Sequence, residues 1–400
     1  MKKLLLFACA ALTSMTVGAQ TELVSITKLA HNNVKEAVIA EKTSTINNAV
    51  ATAPALDAIV GNYTETSSDG ELITCSPATI SIDGTNVKMV FANDAVTATG
   101  TYDAATGIIN IGEQDCGSKT DSRGTWEFTV RGLAAINEDA GTLSTTKELS
   151  FTVDEDGNID CNQLGYFIGV KKFTALPGTS YKDGQYDGAT WTWAAEPRFI
   201  PCNGVQKGHQ NGRNTNGWEE FSNSVSIEDY EYSVNVYNYC EMGCLSIDVN
   251  EDGTVSIAMG QPMADLGFNT QEDIDNFGKY LCIRGVDLKG DGISTNLDKE
   301  TSVGTISGNT ITITEYTRMT SLISPDQRWY TGNWYADGMT ITLNTGNFKG
   351  AQTNGIEVVK PTLEERAKNS KTYNLMGQQV NRATAKGLLI RDGKKYINKK

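Results

Sequence analysis

The stretch Thr79–Ile111, TISIDGTNVKMVFANDAVTATGTYDAATGIINI, reads as short strands separated by tight turns. Thr79–Ile82 alternates apolar and polar residues, Asp83-Gly84 suits a hairpin turn, and Val87–Phe91 returns. Gly100–Gly107 is a further strand and turn that feeds the apolar run Ile108–Ile111. Outward from this stretch the pattern continues. Asn62-Tyr63-Thr64 opens a strand before it, and Trp126–Val130 and Leu149–Val153 repeat the alternation after it. A second β region covers Tyr232–Tyr239, Leu245–Val249, Val255–Met259, Thr305–Thr314 and Met339–Leu343. Glycine is frequent (39) and proline scarce (8), as expected of many short strands joined by tight turns. The expected class is all-β: one or two antiparallel β-sandwich or barrel-like modules plus a small β tail.

The order Gly-x-Tyr, strand, Asp-Gly turn, strand, Gly-Thr-Tyr-Asp-x-x-Thr-Gly-x-Ile resembles the lipocalin-like β modules of secreted Bacteroidota proteins. We divide the chain into a first module at 56–175, a loop-rich insertion or linker at 176–224, a second module at 225–350 and a polar linker at 351–370. The 176–224 segment is set apart by seven glycines and by Trp191, Trp193 and Trp218. One echo links the modules: Leu149–Ile159 and Leu245–Val255 agree at six of eleven positions. Duplication would produce this, and so would two unrelated hairpins with the same turn chemistry.

The two ends carry addresses. Met1-Lys2-Lys3 followed by the apolar Leu4–Val17 and the small residues before Gln20 reads as a signal peptide over 1–19, cleaved near Ala19. Residues 20–55 form a helical or flexible leader, and no segment is long and apolar enough for a transmembrane helix. The chain carries net −14, but the thirty residues from Lys371 hold eight basic side chains and one acidic, leaving −21 on the rest. The acidic body argues against nucleic acid as a partner. In the tail, 371–400, Tyr373, Leu375, Gly377 and Val380 are followed by Gly387 with an apolar run, then Gly393, Lys394 and Lys395. This pattern resembles the C-terminal sorting signal of the type IX secretion system. The resemblance implies the type IX export machinery as a partner and a secreted or cell-surface location.

Chemistry is harder to find. Seven cysteines follow the signal peptide, with Cys75–Cys116 and Cys161–Cys202 spaced by 41 residues and Cys240–Cys282 by 42. Three sequential disulfides are the simplest scheme for an exported protein, with buried free thiols as the alternative. Asp248-Val-Asn-Glu-Asp252-Gly253 matches half of a calcium loop, but its twelfth position is Met259, so it reads as a hairpin turn. Cys240 and Cys244 have no second pair to complete a zinc site. The two histidines, His31 and His209, lack a nucleophile motif, so no catalytic residue, metal or cofactor is assigned. The aromatics are more informative. Trp191 and Trp193, two apart in a strand, are expected on one face, and Trp329-Tyr330 and Trp334-Tyr335 bracket a turn. With Trp218 these are the candidate ligand-binding residues, since aromatic faces stack on sugar rings; core packing is the alternative. The reading is a surface-displayed binder of glycan or another extracellular macromolecule, without catalysis. A carboxylate-dependent hydrolase using Glu196, Glu219 and Glu220 is the runner-up, and a structural envelope component is third.

Overall fold

The computed structural model describes residues 53–351, apart from 69–70, 138–140, 231, 290–291 and 325–327, and the strand residues of the tail. The signal peptide, all but the end of the leader and most of the 351–370 linker lie outside the described residues. The chain forms two compact units, Met1–Gln352 and Thr353–Lys400.

The first module is built from thirteen strands: β1 (Gly61–Ser68), β2 (Ile73–Asp83), β3 (Asn86–Phe91), β4 (Val96–Asp103), β5 (Ile108–Asn110), β6 (Gln114–Thr120), β7 (Gly124–Asn137), β8 (Thr142–Thr146), β9 (Ser150–Val153), β10 (Ile159–Cys161), β11 (Gly165–Ala175), β12 (Thr190–Ala195) and β13 (Arg198–Pro201). Eight of them close a barrel in the order β1-β13-β10-β9-β5-β4-β3-β2. The other five make an outer sheet, β12-β11-β7-β6, with β8 on β7. Closure removes the sheet edges that would otherwise template aggregation.

The second module repeats this plan with β14 (Gly204–Asn211), β15 (Glu219–Asp229), β16 (Ser233–Tyr237), β17 (Cys244–Val249), β18 (Thr254–Ala258), β19 (Pro262–Asp265), β20 (Tyr280–Lys289), β21 (Gly292–Asn296), β22 (Thr301–Ser307), β23 (Thr310–Ile313), β24 (Thr317–Thr320), β25 (Thr331–Tyr335) and β26 (Met339–Leu343). The ring β14-β26-β23-β22-β18-β17-β16-β15 closes through the β14–β15 pairing. The outer strands run β25-β24-β20-β19, with β21 on β20. In both modules the first five strands enter the barrel, the next three leave it, two return, two leave, and the last closes the ring. Every pairing of the first module has its counterpart in the second. The addition in the second is β14–β25, which makes its barrel and outer sheet continuous.

Finer features repeat as well. Among the described residues, six of the seven non-glycine residues with positive φ fall at the same place: Ala92, Asn93 and Asp94 between β3 and β4, and Asn238, Cys240 and Glu241 between β16 and β17. Such backbone is strained unless its surroundings hold it. Each turn is held by a buried side chain from the module's first strand. Glu65 Oε2 accepts from Ala92 N at 2.7 Å, and Gln206 Oε1 accepts from Cys240 N at 2.8 Å. Glycines at equivalent positions, Gly132 on β7 and Gly285 on β20, sit under the segments leading into β9 and β22. A Cβ would lie 2.0 Å from Glu148 O in the first case and 2.5 Å from Lys299 Cδ in the second.

The Leu149–Ile159 echo is not the trace of this duplication. It superimposes the β9–β10 hairpin on β17–β18, whose topological counterpart is β4–β5. What the two segments share is the turn: Asp154 N bonds Asn158 O and Gly157 N bonds Asp154 O, just as Asn250 N bonds Thr254 O and Gly253 N bonds Asn250 O. The half calcium loop is therefore a hairpin turn, its Asp252 carboxylate taken by Thr254 N and Oγ1.

The 176–224 segment is not a loop-rich insertion. It contributes β12, β13, β14 and the start of β15, and the modules meet between Pro201 and Gly204. Four of its glycines mark turns at positive φ, Gly178, Gly184 and Gly188 before β12 and Gly217 before β15, while Gly204 and Gly208 lie within β14. Each module has its own core, one around Phe91, Phe128, Phe151 and Phe199, the other around Tyr239, Leu245, Ile283 and Ile341. Four successive residues of β1, Tyr63–Thr66, are buried, because Tyr63 and Glu65 face the barrel interior while Thr64 faces the second module. There Ser226 Oγ donates to Ile200 O at 2.8 Å and bonds Thr64 Oγ1 at 2.7 Å, and Arg198 bridges Asp160 and Glu228.

The tail unit is a four-stranded antiparallel sheet, β28-β27-β29-β30, of β27 (Thr372–Asn374), β28 (Gln379–Val380), β29 (Gly387–Arg391) and β30 (Lys394–Asn398).

Candidate functional site

The first module turns its aromatic rings inward. Trp126, Phe128, Phe173, Tyr181, Tyr186 and Trp191 form one network with centroid separations of 4.4–6.4 Å. Pairs of this kind contribute about 0.5–1.5 kcal/mol each beyond area burial. Trp191 and Trp193 do not share a face. The β11–β12 register shifts at Ile168/Gly169, so Trp191 packs on Trp126 and Phe128 while Trp193 pairs with Phe167 on the outer face. A bulge of one residue is enough to flip a side chain across the sheet.

The second module buries Tyr239, Tyr335 and Phe348 in its core but also turns rings outward. Among the described residues, every exposed aromatic belongs to it: Trp218, Tyr230, Tyr232, Trp329 and Tyr330. The largest assembly lies where helix α1 (Gln271–Phe277) joins β19 to β20. Thr270 caps this helix, its Oγ1 accepting from Asp273 N at 3.1 Å, and Gly278 at φ 78° turns the chain into β20. Phe277 thereby stacks on Phe268 at 5.6 Å, and Tyr330 completes a triangle at 5.4 and 5.3 Å. Tyr330 is fixed by backbone bonds to Ser321 and stays 47% exposed, and Trp329 beside it is 48% exposed. Trp218 lies elsewhere on the module, edge-on to Tyr316 at 5.8 Å. Trp334 is half-buried on β25 under the Arg318 guanidinium at 3.9 Å. Trp329 lies just ahead of the first residue of β25 and Trp334 near its last, so the two stand toward opposite ends of one outer strand, whereas Trp191 and Trp193 belong to the other module.

Phe268, Phe277 and Arg318 were missed in the sequence. The Thr270-x-x-Asp273 cap was a legible signal for α1 and hence for the turn that brings the two phenylalanines together. Arg318 carried no local signal.

The remaining candidates are dispersed. Glu196 sits in the β12–β13 turn with φ 47°, and Glu219 and Glu220 open β15 opposite Gln210 and His209. Cys202 lies against Thr64 and Ser226 at the module junction. All seven described thiols are free. Two of the sequential pairs have members in different layers: Cys75 is in the barrel and Cys116 in the outer sheet, Cys240 inside the second barrel and Cys282 outside it. In the third, Cys161 lies beside Pro197 ahead of β13 and Cys202 follows its other end. Burial pushes the Cys75 and Cys240 thiols up to about 12, which suits inert packing rather than nucleophilic chemistry. Cys244 interacts with Cys75 and Glu228, whereas Cys240 is packed in the second core. Among the described residues no three His, Cys, Asp or Glu side chains converge as a metal site requires.

Among the described residues Glu65 is the one buried acid. It accepts from Tyr166 Oη, Ser76 Oγ and Ala92 N, and burial raises its pKa while these bonds lower it, with burial prevailing. Tyr166 is held well above its usual range by burial and by this carboxyl, so it remains a donor. The group is closed off inside the barrel and holds the β3–β4 turn.

In the tail, Tyr373 pairs with Gln379 and Ile390, Val380 with Thr372, Gly387 with Asn398, Lys394 with Arg391 and Lys395 with Ile390. Leu375, Gly377 and Gly393 lie outside the described residues. No helix among the described residues is long and apolar enough to cross a membrane. No known protein family, curated protein or solved structure matches the chain.

Proposed function

We propose that this is an exported, surface-displayed protein whose second module binds glycan without catalysis. The observation that carries the reading is the pair of exposed rings Trp329 and Tyr330, the latter braced by Phe268 and Phe277 at 5.3–5.4 Å. Rings fixed from behind and open in front stack on the apolar faces of sugars with little ordering cost. The equivalent outer sheet of the first module packs Trp126, Phe128, Phe173 and Trp191 against the core, and no aromatic ring of that module among the described residues is as exposed, so the contrast lies between two copies of one scaffold. A glycan array probed with residues 20–370 tests this. Trp329→Ala and Tyr330→Ala should abolish the signal, and signal retained in both would contradict it.

Export is supported by the signal-peptide pattern at 1–19 and by the tail's resemblance to a type IX sorting signal, with that export machinery as the partner. A chain ending at Asn369 should fold and remain in the periplasm; normal display of that chain would exclude the tail as an address.

A further inference from the structure

The duplicated scaffold allows the outer sheets to be compared residue by residue. On β7, Arg131 pairs with Phe167 of β11, which pairs with Trp193 of β12. On β20, Arg284 pairs with Arg318 of β24, which pairs with Trp334 of β25. Each row is followed by the conserved-in-place glycine, Gly132 or Gly285, and the surrounding residues read Val130-Arg131-Gly132-Leu133 and Ile283-Arg284-Gly285-Val286. The rows are equivalent: Arg–Phe–Trp in the first module and Arg–Arg–Trp in the second.

Their charge environments differ. Arg131 is neutralised by Glu113 at 2.7 Å. Arg284 and Arg318 stand directly opposite each other, and among the described residues neither forms an ion pair. Like charges placed opposite across strands repel. The Arg318 guanidinium lies over Trp334 and donates to Thr295 Oγ1 at 2.8 Å, while its Nε and the Nε of Arg284 are buried without an acceptor. Burial lowers the Arg318 pKa with no carboxylate opposing it. Arg284 extends over Gly260, where an added Cβ would lie 3.0 Å from Nη1. Two half-buried cations with spare donors, in a chain of net charge −14, are unfavourable unless something anionic completes them.

We propose that Arg284 and Arg318, with Trp334 beneath Arg318, form a binding site for a carboxylate-bearing sugar, so that the second module recognises an acidic glycan. The identity of the carrier as a glycan rests on the function proposed above; the anion preference rests on the arginine pair alone. Guanidinium planes present paired N–H donors that match a carboxylate, and an aromatic floor keeps one of them oriented.

The test is calorimetric titration of the whole mature chain with oligogalacturonate and with a neutral xylo-oligosaccharide of equal length. The expected result is at least tenfold tighter binding of the uronate, weakening as NaCl is raised. Arg284→Met and Arg318→Met should each cost tenfold or more, whereas Arg131→Met should leave binding unchanged. Arg318→Lys keeps the charge and tests the planar fork, and should lose at least fivefold; it serves if either methionine variant misfolds. Equal affinity for both sugars, unchanged in the arginine variants, would overturn the inference and leave the glycan reading standing. Binding of neither sugar would overturn both.

Discussion

The two modules share thirteen strands in one order, yet they use their outer sheets in opposite ways. In the first, β7, β11 and β12 close over an aromatic network, and the outer-face arginine is paired with Glu113. In the second, the segment leading into β25 presents Trp329 and Tyr330 to solvent, and on β20 and β24 Arg284 and Arg318 face each other with no ion pair among the described residues. The barrels, in contrast, are treated alike, each with a buried polar side chain holding a left-handed turn. A duplicated scaffold can keep the interior constraint in both copies and free one surface for binding.

The comparison can be broken most forcefully at the barrel node. Glu65→Ala should cost about 3–5 kcal/mol, because it strands the Ala92 N–H and the Tyr166 hydroxyl and leaves a cavity. Gln206→Ala should cost a similar amount if the nodes are equivalent. A denaturant melt in which either loss falls below about 1 kcal/mol would end that equivalence.

Next come the tryptophans. Trp191→Ala should destabilise by about 3 kcal/mol as a ring packed into a core network. Trp329→Ala should stay within about 0.5 kcal/mol, as a surface ring does. The glycines sharpen the same contrast. Gly132→Ala should cost about 1–3 kcal/mol, since the new Cβ meets backbone at Glu148 O. Gly285→Ala should fall at the low end of that range, about 1 kcal/mol, because the new Cβ meets Lys299 side-chain atoms, Cδ at 2.5 Å and Cβ at 2.8 Å, rather than a backbone oxygen.

The smallest effect distinguishes the node residues themselves. Glu65→Gln should be tolerated, since glutamine already fills this role in the second barrel. The raised folded pKa of Glu65 means its contribution is complete below the unfolded carboxylate pKa and is lost as pH rises through the folded value. Stability of the wild type relative to Glu65→Gln should therefore fall from mildly acidic to neutral pH, and a rise over that interval would show that Glu65 is held charged.

Much of the barrel was legible because alternation at Thr79–Ile82 and the turn glycines are local signals. The all-β class and the second region's strands follow from the same physics. The duplication was visible only through its misleading echo, since hairpin turn chemistry repeats wherever an Asp-Gly or Asn-Glu-Asp-Gly turn is needed. The in-register trace, Val-Arg-Gly-Leu against Ile-Arg-Gly-Val, is four residues long and has meaning only once strand pairing is known. The Trp191–Trp193 platform failed on one bulge, which alternation does not reveal. Arg318 could not be chosen from sequence, because its consequence is the absence of an acid opposite it in space.

The most direct measurement follows the six tryptophan indole N–H signals by NMR while the mature chain is titrated with oligogalacturonate and with xylo-oligosaccharide. Binding confined to the second module's outer sheet should move the Trp329 and Trp334 signals and leave Trp126, Trp191 and Trp193 in place. Movement of Trp191 or Trp193 instead, or no movement with either sugar, would contradict the assignment of binding to the second copy.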